Sequence, residues 1–279
     1  LLEKEWQMTV LDEAQAIKNP ETKRWKYVTQ LNSQCRIALT GTPIENHLGE
    51  LWSIFRFLNP GLLGSLAFFQ QRFSGPIERH HNPTAKRALK NLVSPYILRR
   101  TKSEVLLELP PKIEQSILIE PTTEETAFYE AVRMKALERI QQLDVAENNT
   151  KRFSILAEIS RLRQACCHSS LVDENMTIES SKVKTFLTLV KNIIDNKHKA
   201  LIFSQFTRYL SKIKEALDKE NISYQYLDGS TSMKERQKAV DDFQAGIGDL
   251  FLISLKAGGT GLNLTAADYV VILDPWWNP

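Results

Sequence analysis

Two acids, Asp12 and Glu13, directly follow the apolar run Met8-Thr9-Val10-Leu11. An acid at the carboxyl end of a buried parallel strand stands where α/β sheets place their ligands. In phosphoryl transfer an Asp in that position holds Mg²⁺, and a Glu after it can orient or deprotonate the attacking water. Standing alone, such a pair is more often a solvated strand end. A second cluster shifts that balance. The run Arg36 to Leu39 leads into Thr40-Gly41-Thr42-Pro43-Ile44-Glu45-Asn46. Hydroxyls beside a Gly-Pro turn can hydrogen-bond an acidic neighbour and relay its state to a second site, although Thr-Gly-Thr-Pro by itself is only a turn.

The far half carries turns rich in hydroxyls and glycine. Leu227-Asp228-Gly229-Ser230-Thr231 ends a strand and starts a helix. A helix N-terminus there offers free N–H groups and a positive dipole end to a phosphate. The equally good alternative is an ordinary N-cap at Ser230 or Thr231, and both can hold together. Lys256-Ala257-Gly258-Gly259-Thr260-Gly261-Leu262-Asn263-Leu264 follows the run Leu250 to Ile253. Its glycines permit close backbone approach to a phosphate or to a facing surface. It does not end in the Gly-Lys-Ser/Thr of a phosphate-binding P-loop. Cys166-Cys167-His168 invites a metal reading, but adjacent Cys are awkward ligands for one tetrahedral ion, and no second pair stands at zinc-like spacing. A metal site is therefore not expected there. His80-His81 reads as a surface loop, and Trp276-Trp277 as packing more than as base stacking.

A scaffold for these residues is visible in the apolar runs. Met8 to Leu11, Arg36 to Leu39, Ala200 to Phe203, Leu250 to Ile253 and Tyr269 to Leu273 read as buried parallel strands. Lys182 to Ile194, Arg208 to Leu217 and Met233 to Phe243 have helical apolar spacing and lie between them. Thr122 to Leu143 and Arg152 to Ala165 form a purely helical middle, opened by Thr122-Thr123-Glu124-Glu125 and separated by the polar loop Ala146 to Thr150. Pro110-Pro111 marks a hinge or linker. The pattern predicts an α/β fold in two portions, with helices inserted after the junction.

Composition sets the outer bounds. The chain has 279 residues, enough for one large domain or two ordinary ones, with 42% hydrophobic and 25% charged residues. No apolar run reaches the roughly 20 residues that span a bilayer, and Leu1 to Val10 lacks the pattern of a secretory signal. Three Cys, two of them adjacent, exclude a disulfide framework and suit a reducing compartment. A net charge of +3 neither requires nor opposes a nucleic-acid partner.

Taken in order, these boxes resemble the Swi/Snf-type ATPases of the helicase-like superfamily two. LDEAQAIKNP is similar to their Walker B box, and LTGTPIENHLGELWSIFRFLNPGLLG to the coupling motif with its following helix. The resemblance continues through FQQRFSGPI, YILRRTKSEVLLELPPK, LRQACCH, KALIFSQF, YQYLDGSTSMKERQKAVDDFQ and FLISLKAGGTGLNLTAADYVVILDPWWNP. It covers nearly the whole chain. Ala14-Gln15, where eukaryotic members commonly have Gly-His, resembles bacterial relatives and points to a prokaryotic source.

The resemblance implies two RecA-like lobes of P-loop NTPase type facing each other across an ATP cleft. Residues 1–105 would be the C-terminal half of the first lobe with a helical insertion. Residues 106–279 would be the second lobe, with a helical protrusion at about 122–175. Asp12 is then expected to hold Mg²⁺ through water and Glu13 to be the catalytic base. Gln15, Thr40, Gly41 and Thr42 would couple nucleotide state to DNA, and Gly259 and Gly261 would approach the nucleotide. Arg99, Arg100, Lys102, Gln205, Gly229, Ser230, Thr231, Lys256, Thr260 and Asn263 would contact DNA; Gln205 has a solvent-facing strand-end amide as its plain alternative.

The expected cofactors are ATP and Mg²⁺, and the expected track is double-stranded DNA. RNA polymerase or another DNA-bound protein is the expected displaced partner. A monomer with no membrane attachment is expected, cytoplasmic and nucleoid-associated in a bacterium or nuclear in a eukaryote. The family's Walker A loop would precede Leu1 and its arginine fingers would follow Pro279. This stretch alone is therefore expected to hydrolyse ATP negligibly although its parent does. The other class of function open to it is a non-catalytic DNA- or protein-binding module that kept the fold; intact Asp12-Glu13 and Thr40-Gly41-Thr42 argue against it.

Overall fold

The computed structural model describes residues 2–106, 108, 110, 112–141, 148–259 and 262–276. The chain divides into two units, Leu1–Lys112 and Ile113–Pro279. The Pro110-Pro111 pair adjoins that division, and Pro111 lies outside the described residues.

In the first unit, β1 (Glu5–Leu11) is followed by a 3₁₀ turn at Ala14–Ile17 and by α1 (Lys23–Val28). Thr22 caps α1 by accepting from Trp25 N at 3.3 Å. The chain then enters β2 (Asn32–Ala38), which pairs in parallel with β1 so that Leu11 stands opposite Ala38. Leu39 N donates to Leu11 O at 2.8 Å and prolongs the ladder. Asp12 and Thr40 therefore leave neighbouring strands at the same end. Next come α2 (Gly49–Leu58), α3 (Leu66–Phe69), a π turn at Gln70–Ser74, α4 (Gly75–His80), α5 (Pro83–Val93) and α6 (Lys102–Val105). Leu51, Trp52 and Phe55 of α2 bury one stripe against Leu63, Phe69, Phe73, Leu89 and Val93.

The expectation of buried strands fails in this sheet. Met8 is 54% exposed and Val10 49%, and Leu39 is half open as well. A two-stranded sheet gives each strand a single neighbour, and the helix packed on β2 is α2. Parallel sheets become buried when helices cover both faces.

The second unit satisfies that rule. It opens with α7 (Thr123–Gln141), α8 (Asn148–Cys167) and α9 (Ser181–Asp195). Of the expected loop at 146–150, Asn148 to Thr150 lie in α8, and 146–147 lie outside the described residues. Then follow β3 (Ala200–Ser204), α10 (Thr207–Lys219), β4 (Tyr224–Leu227), α11 (Met233–Gln244), β5 (Leu250–Ser254), α12 (Leu255–Gly258) and β6 (Tyr269–Ile272). Their order in the sheet is β4-β5-β3-β6, every pairing parallel. Alternate residues of β5 feed two cores. Leu250 and Leu252 join Phe186, Val190, Tyr209 and Ile213 of α9 and α10, while Phe251 and Ile253 join Ala239 and Phe243 of α11. This is an α/β sheet wound on both faces. The edge strand β6 departs from the buried expectation, with Val270 60% and Ile272 61% exposed.

One carboxylate ties α7 to α9. Glu125 accepts from Thr122 N at 2.8 Å, closing a capping box, and from Ser181 N at 2.9 Å and Ser181 Oγ at 2.5 Å. Burial pushes the Glu125 carboxyl up, but the bonds from Ser181 and Thr122 outweigh it and hold it below the ordinary range. A depressed folded-state value adds stability above the unfolded-state value of about 4.3, and that stability is lost as pH falls through the folded value. Glu125→Gln is therefore expected to narrow the drop in urea midpoint between about pH 7 and about pH 3. An unchanged drop would remove Glu125 from the acid response.

Candidate functional site

At the end of β1 the backbone turns sharply. Glu13 has φ 50° and ψ 50°, the left-handed region that side-chain-bearing residues enter at a cost. Ala14, 1% exposed, fixes this turn by donating its N–H to Leu39 O at 2.9 Å, and Glu13 N donates to Asp12 Oδ1 at 2.9 Å. Both acids remain exposed at the carboxyl end of a parallel strand. Such a carboxylate pair suits Mg²⁺, which keeps most of its waters and takes one or two carboxylates plus phosphate oxygens. Among the described residues no cluster of three or more His, Cys, Asp and Glu is placed to cage a metal.

A chain of hydrogen bonds runs from Glu13 into the turn after β2. Gln15 Nε2 donates to Glu13 Oε2. Thr40 Oγ1 donates to Gln15 Oε1 at 2.7 Å, which leaves the amide nitrogen of Gln15 for the acid. Thr42 N donates to Thr40 Oγ1 at 3.1 Å, and Thr42 Oγ1 donates to Glu45 Oε1 at 2.9 Å. Lys18 Nζ bonds Glu45 Oε2 and lies 3.8 Å from Glu50 Oε1. Glu50, in the first turn of α2 and 3% exposed, accepts from Glu45 N at 2.6 Å, Asn46 N at 3.1 Å and Asn46 Nδ2 at 3.0 Å. The structure brings the expected site residues Asp12, Glu13, Gln15, Thr40 and Thr42 together here, and joins to them Lys18, Glu45 and Glu50, which were not among them. Gly41 stands in open space.

In the second unit the turn after β4 corrects two expectations. The N-cap of α11 is Ser232, not Ser230 or Thr231, and Ser232 with Glu235 forms a complete capping box. That box occupies the Ser232 and Glu235 amides, so this helix start does not present those N–H groups to a phosphate. Ser230 Oγ instead donates to Asp228 Oδ1 at 2.6 Å and Ser230 N to the same oxygen at 2.8 Å. Tyr226 OH donates to Asp228 Oδ2 at 2.8 Å, and Thr231 Oγ1 accepts from Asp228 N at 3.0 Å. The bonds from Ser230 come first among those that hold the Asp228 carboxyl below its ordinary range. Gly229 is exposed, with open space around it.

Gln205, at the end of β3, faces inward and not toward solvent. Its Oε1 accepts from Arg163 Nη1 of α8 at 3.1 Å, and its Nε2 is buried with no partner among the described residues. Its N–H donates to Asp274 Oδ2 at 3.1 Å, and Asp274 also accepts from Ser204 Oγ. After β5 the glycine run begins as a helical turn, α12, and not as an open loop. Lys256, Gly259 and Asn263 are exposed; Thr260 and Gly261 lie outside the described residues. The glycine that close packing requires is Gly258, where a Cβ would sit 2.7 Å from Phe203 Cε1. Arg99 and Arg100 are exposed in the first unit, and the Lys102 side chain lies outside the described residues. His168 caps a 3₁₀ turn by accepting from Ser170 N at 3.2 Å, and burial pushes the Cys167 thiol up to about 12.

Comparison with known proteins adds a second line of evidence. The profile of the SNF2-related domain matches residues 1–171, and that of the helicase conserved C-terminal domain matches residues 181–279. The candidate ATP-dependent helicase/translocase YwqA of Bacillus subtilis is 39% identical over 98% of this chain and 30% of its own length. The DNA repair and recombination protein RAD26 of Saccharomyces cerevisiae is 35% identical, over 100% of this chain and 27% of its own. The chain thus spans less than a third of either relative. The Sulfolobus solfataricus SWI2/SNF2 ATPase core solved in complex with dsDNA is similar with a TM-score of 0.55 and 38% identity, covering 100% of this chain and 60% of that one.

Proposed function

The chain belongs to the SNF2-related domain family, and from that membership we propose that the full-length protein is an ATP-dependent translocase on double-stranded DNA that remodels protein–DNA complexes. The observation that carries this reading is the joined set Glu13, Gln15, Thr40 and Thr42 at the ends of two paired parallel strands. Bound ATP with Mg²⁺ supplies the phosphoryl group and the charge that neutralises it. Asp12 would hold the ion, and Glu13 would accept the proton of the attacking water. Gln15, gripped by Thr40, keeps one Glu13 oxygen fixed while the other stays available. Proton uptake on Glu13 weakens the bond from Gln15, and the change passes to Thr40 and Thr42.

Arg99, Arg100, Lys102, Lys256, Thr260 and Asn263, with the Gly229–Thr231 turn, are the proposed DNA contacts, and Gly259 and Gly261 the proposed nucleotide contacts. Gln205 is left out, its Oε1 being engaged by Arg163. The protein is proposed to act as a monomer and to displace RNA polymerase or another DNA-bound protein. Its place would be the nucleoid of a bacterial cytoplasm, or the nucleus of a eukaryote. Among the described residues no helix is long and apolar enough to cross a membrane.

The test is ATP hydrolysis by the full-length protein with and without duplex DNA, paired with displacement of a DNA third strand. Duplex-stimulated hydrolysis with displacement is expected; ATP turnover indifferent to DNA would overturn the reading. A local prediction concerns the turn after β4. Its hydroxyls keep Asp228 bonded within the turn, and a carboxylate released there would repel a phosphate. Ser230→Ala with Thr231→Ala is expected to raise the half-stimulating DNA concentration by about threefold to tenfold and to spare the KM for ATP. A loss of ATP affinity instead would move this turn to the nucleotide side.

A further inference from the structure

We infer that Lys18, Glu45 and Glu50 form a positioning device for the catalytic base, anchoring the far end of the Thr40–Asn46 turn so that Gln15 holds Glu13 in one orientation. The inference rests on the ATPase reading above and deepens it. The turn is fixed at two points. At its start Thr40 bonds Gln15. At its end two amide N–H groups and the Asn46 side chain converge on the buried Glu50 carboxylate, with the Lys18 ammonium beside it.

A buried acid with this many donors is a rigid mount, because removing any partner leaves polar groups unpaired. Burial pushes the Glu50 carboxyl up, yet the Glu45 and Asn46 donors and Lys18 carry it below the ordinary range, so it remains an anion. Lys18 joins the two points. It follows the same 3₁₀ turn that carries Gln15, and its ammonium reaches Glu45 across the turn. Glu45 in turn accepts from Thr42, whose N–H donates to Thr40. The path from Glu50 to Glu13 thus runs through Lys18, Glu45, Thr42, Thr40 and Gln15, with the Thr42 N–H as its backbone link. Such residues act on the chemistry only through geometry, where small displacements are costly.

The experiment uses the full-length protein with saturating duplex DNA. Lys18→Met is expected to lower kcat for ATP hydrolysis by about 10- to 100-fold, with nucleotide affinity changed by less than about twofold. Lys18→Arg, which can still bridge two carboxylates, is expected to restore most of the rate. Thr42→Val combined with Lys18→Met should cost less than the product of the two single effects, as for members of one network. Wild-type kcat in Lys18→Met, or fully multiplicative losses in the double variant, would overturn the inference while leaving the ATPase reading intact. Wild-type protein without DNA-stimulated hydrolysis would remove both.

Discussion

Glu13→Gln in the full-length protein is expected to bind ATP with near wild-type affinity and to lose about 10²- to 10⁴-fold in turnover. The substitution isolates one property. Glutamine has the shape of glutamate and meets the same left-handed backbone cost at this position. Its Oε1 can still accept from Gln15 Nε2, so the bonds onward to Thr40 survive. What disappears is the basic oxygen proposed to take a proton from water. Equilibrium binding of a fluorescent nucleotide and steady-state phosphate release, measured side by side, separate the two effects. Undiminished release would strip Glu13 of the role of base. A collapse of binding would place it among the groups that hold the nucleotide.

The largest effect on stability is expected from Phe251→Ala, at about 3–5 kcal/mol. Phe251 is fully buried in the central strand β5 and lies 5.2 Å from the ring of Phe243, at an interplanar angle of 48°. Leu227, Ala239 and Ile253 complete its surroundings. Truncation removes a benzyl group from a close-packed site bounded by a sheet on one side and α11 on the other, where collapse is limited. Hydrogen exchange of the β5 amides and the urea midpoint of the second unit, followed in the full-length protein, report the loss. A cost below about 1 kcal/mol would mean that the sheet and α11 close over the gap.

In the second unit β3, β5 and β6 were readable because they are almost wholly apolar. Leu250 to Ser254 has no polar residue before its last position, and a strand with two covered faces demands that. The same habit misled for Met8 to Leu11, since apolar content says what a strand could bury and not whether a helix covers it. At Ser230-Thr231-Ser232 three consecutive hydroxyls compete for one cap. The Glu three residues after Ser232 decides it, and that S-x-x-E signature was available in the sequence. Lys18 and Glu45 carried no comparable signal. Twenty-seven positions separate them, and only the return of β2 alongside β1 makes them neighbours. The inward setting of Gln205 was hidden for a similar reason, because its partner Arg163 comes from a helix 42 positions earlier. Asp12, Glu13 and Thr40 were legible because strand ends advertise themselves locally.

The left-handed backbone at Glu13 sets natural selection against thermal robustness. Glycine would occupy that conformation with roughly 1–2 kcal/mol less strain, and an engineer screening only for heat tolerance would be drawn toward it. Such a screen would enrich hardier molecules that lack the proposed base, so any campaign to toughen this protein must select on turnover at the same time.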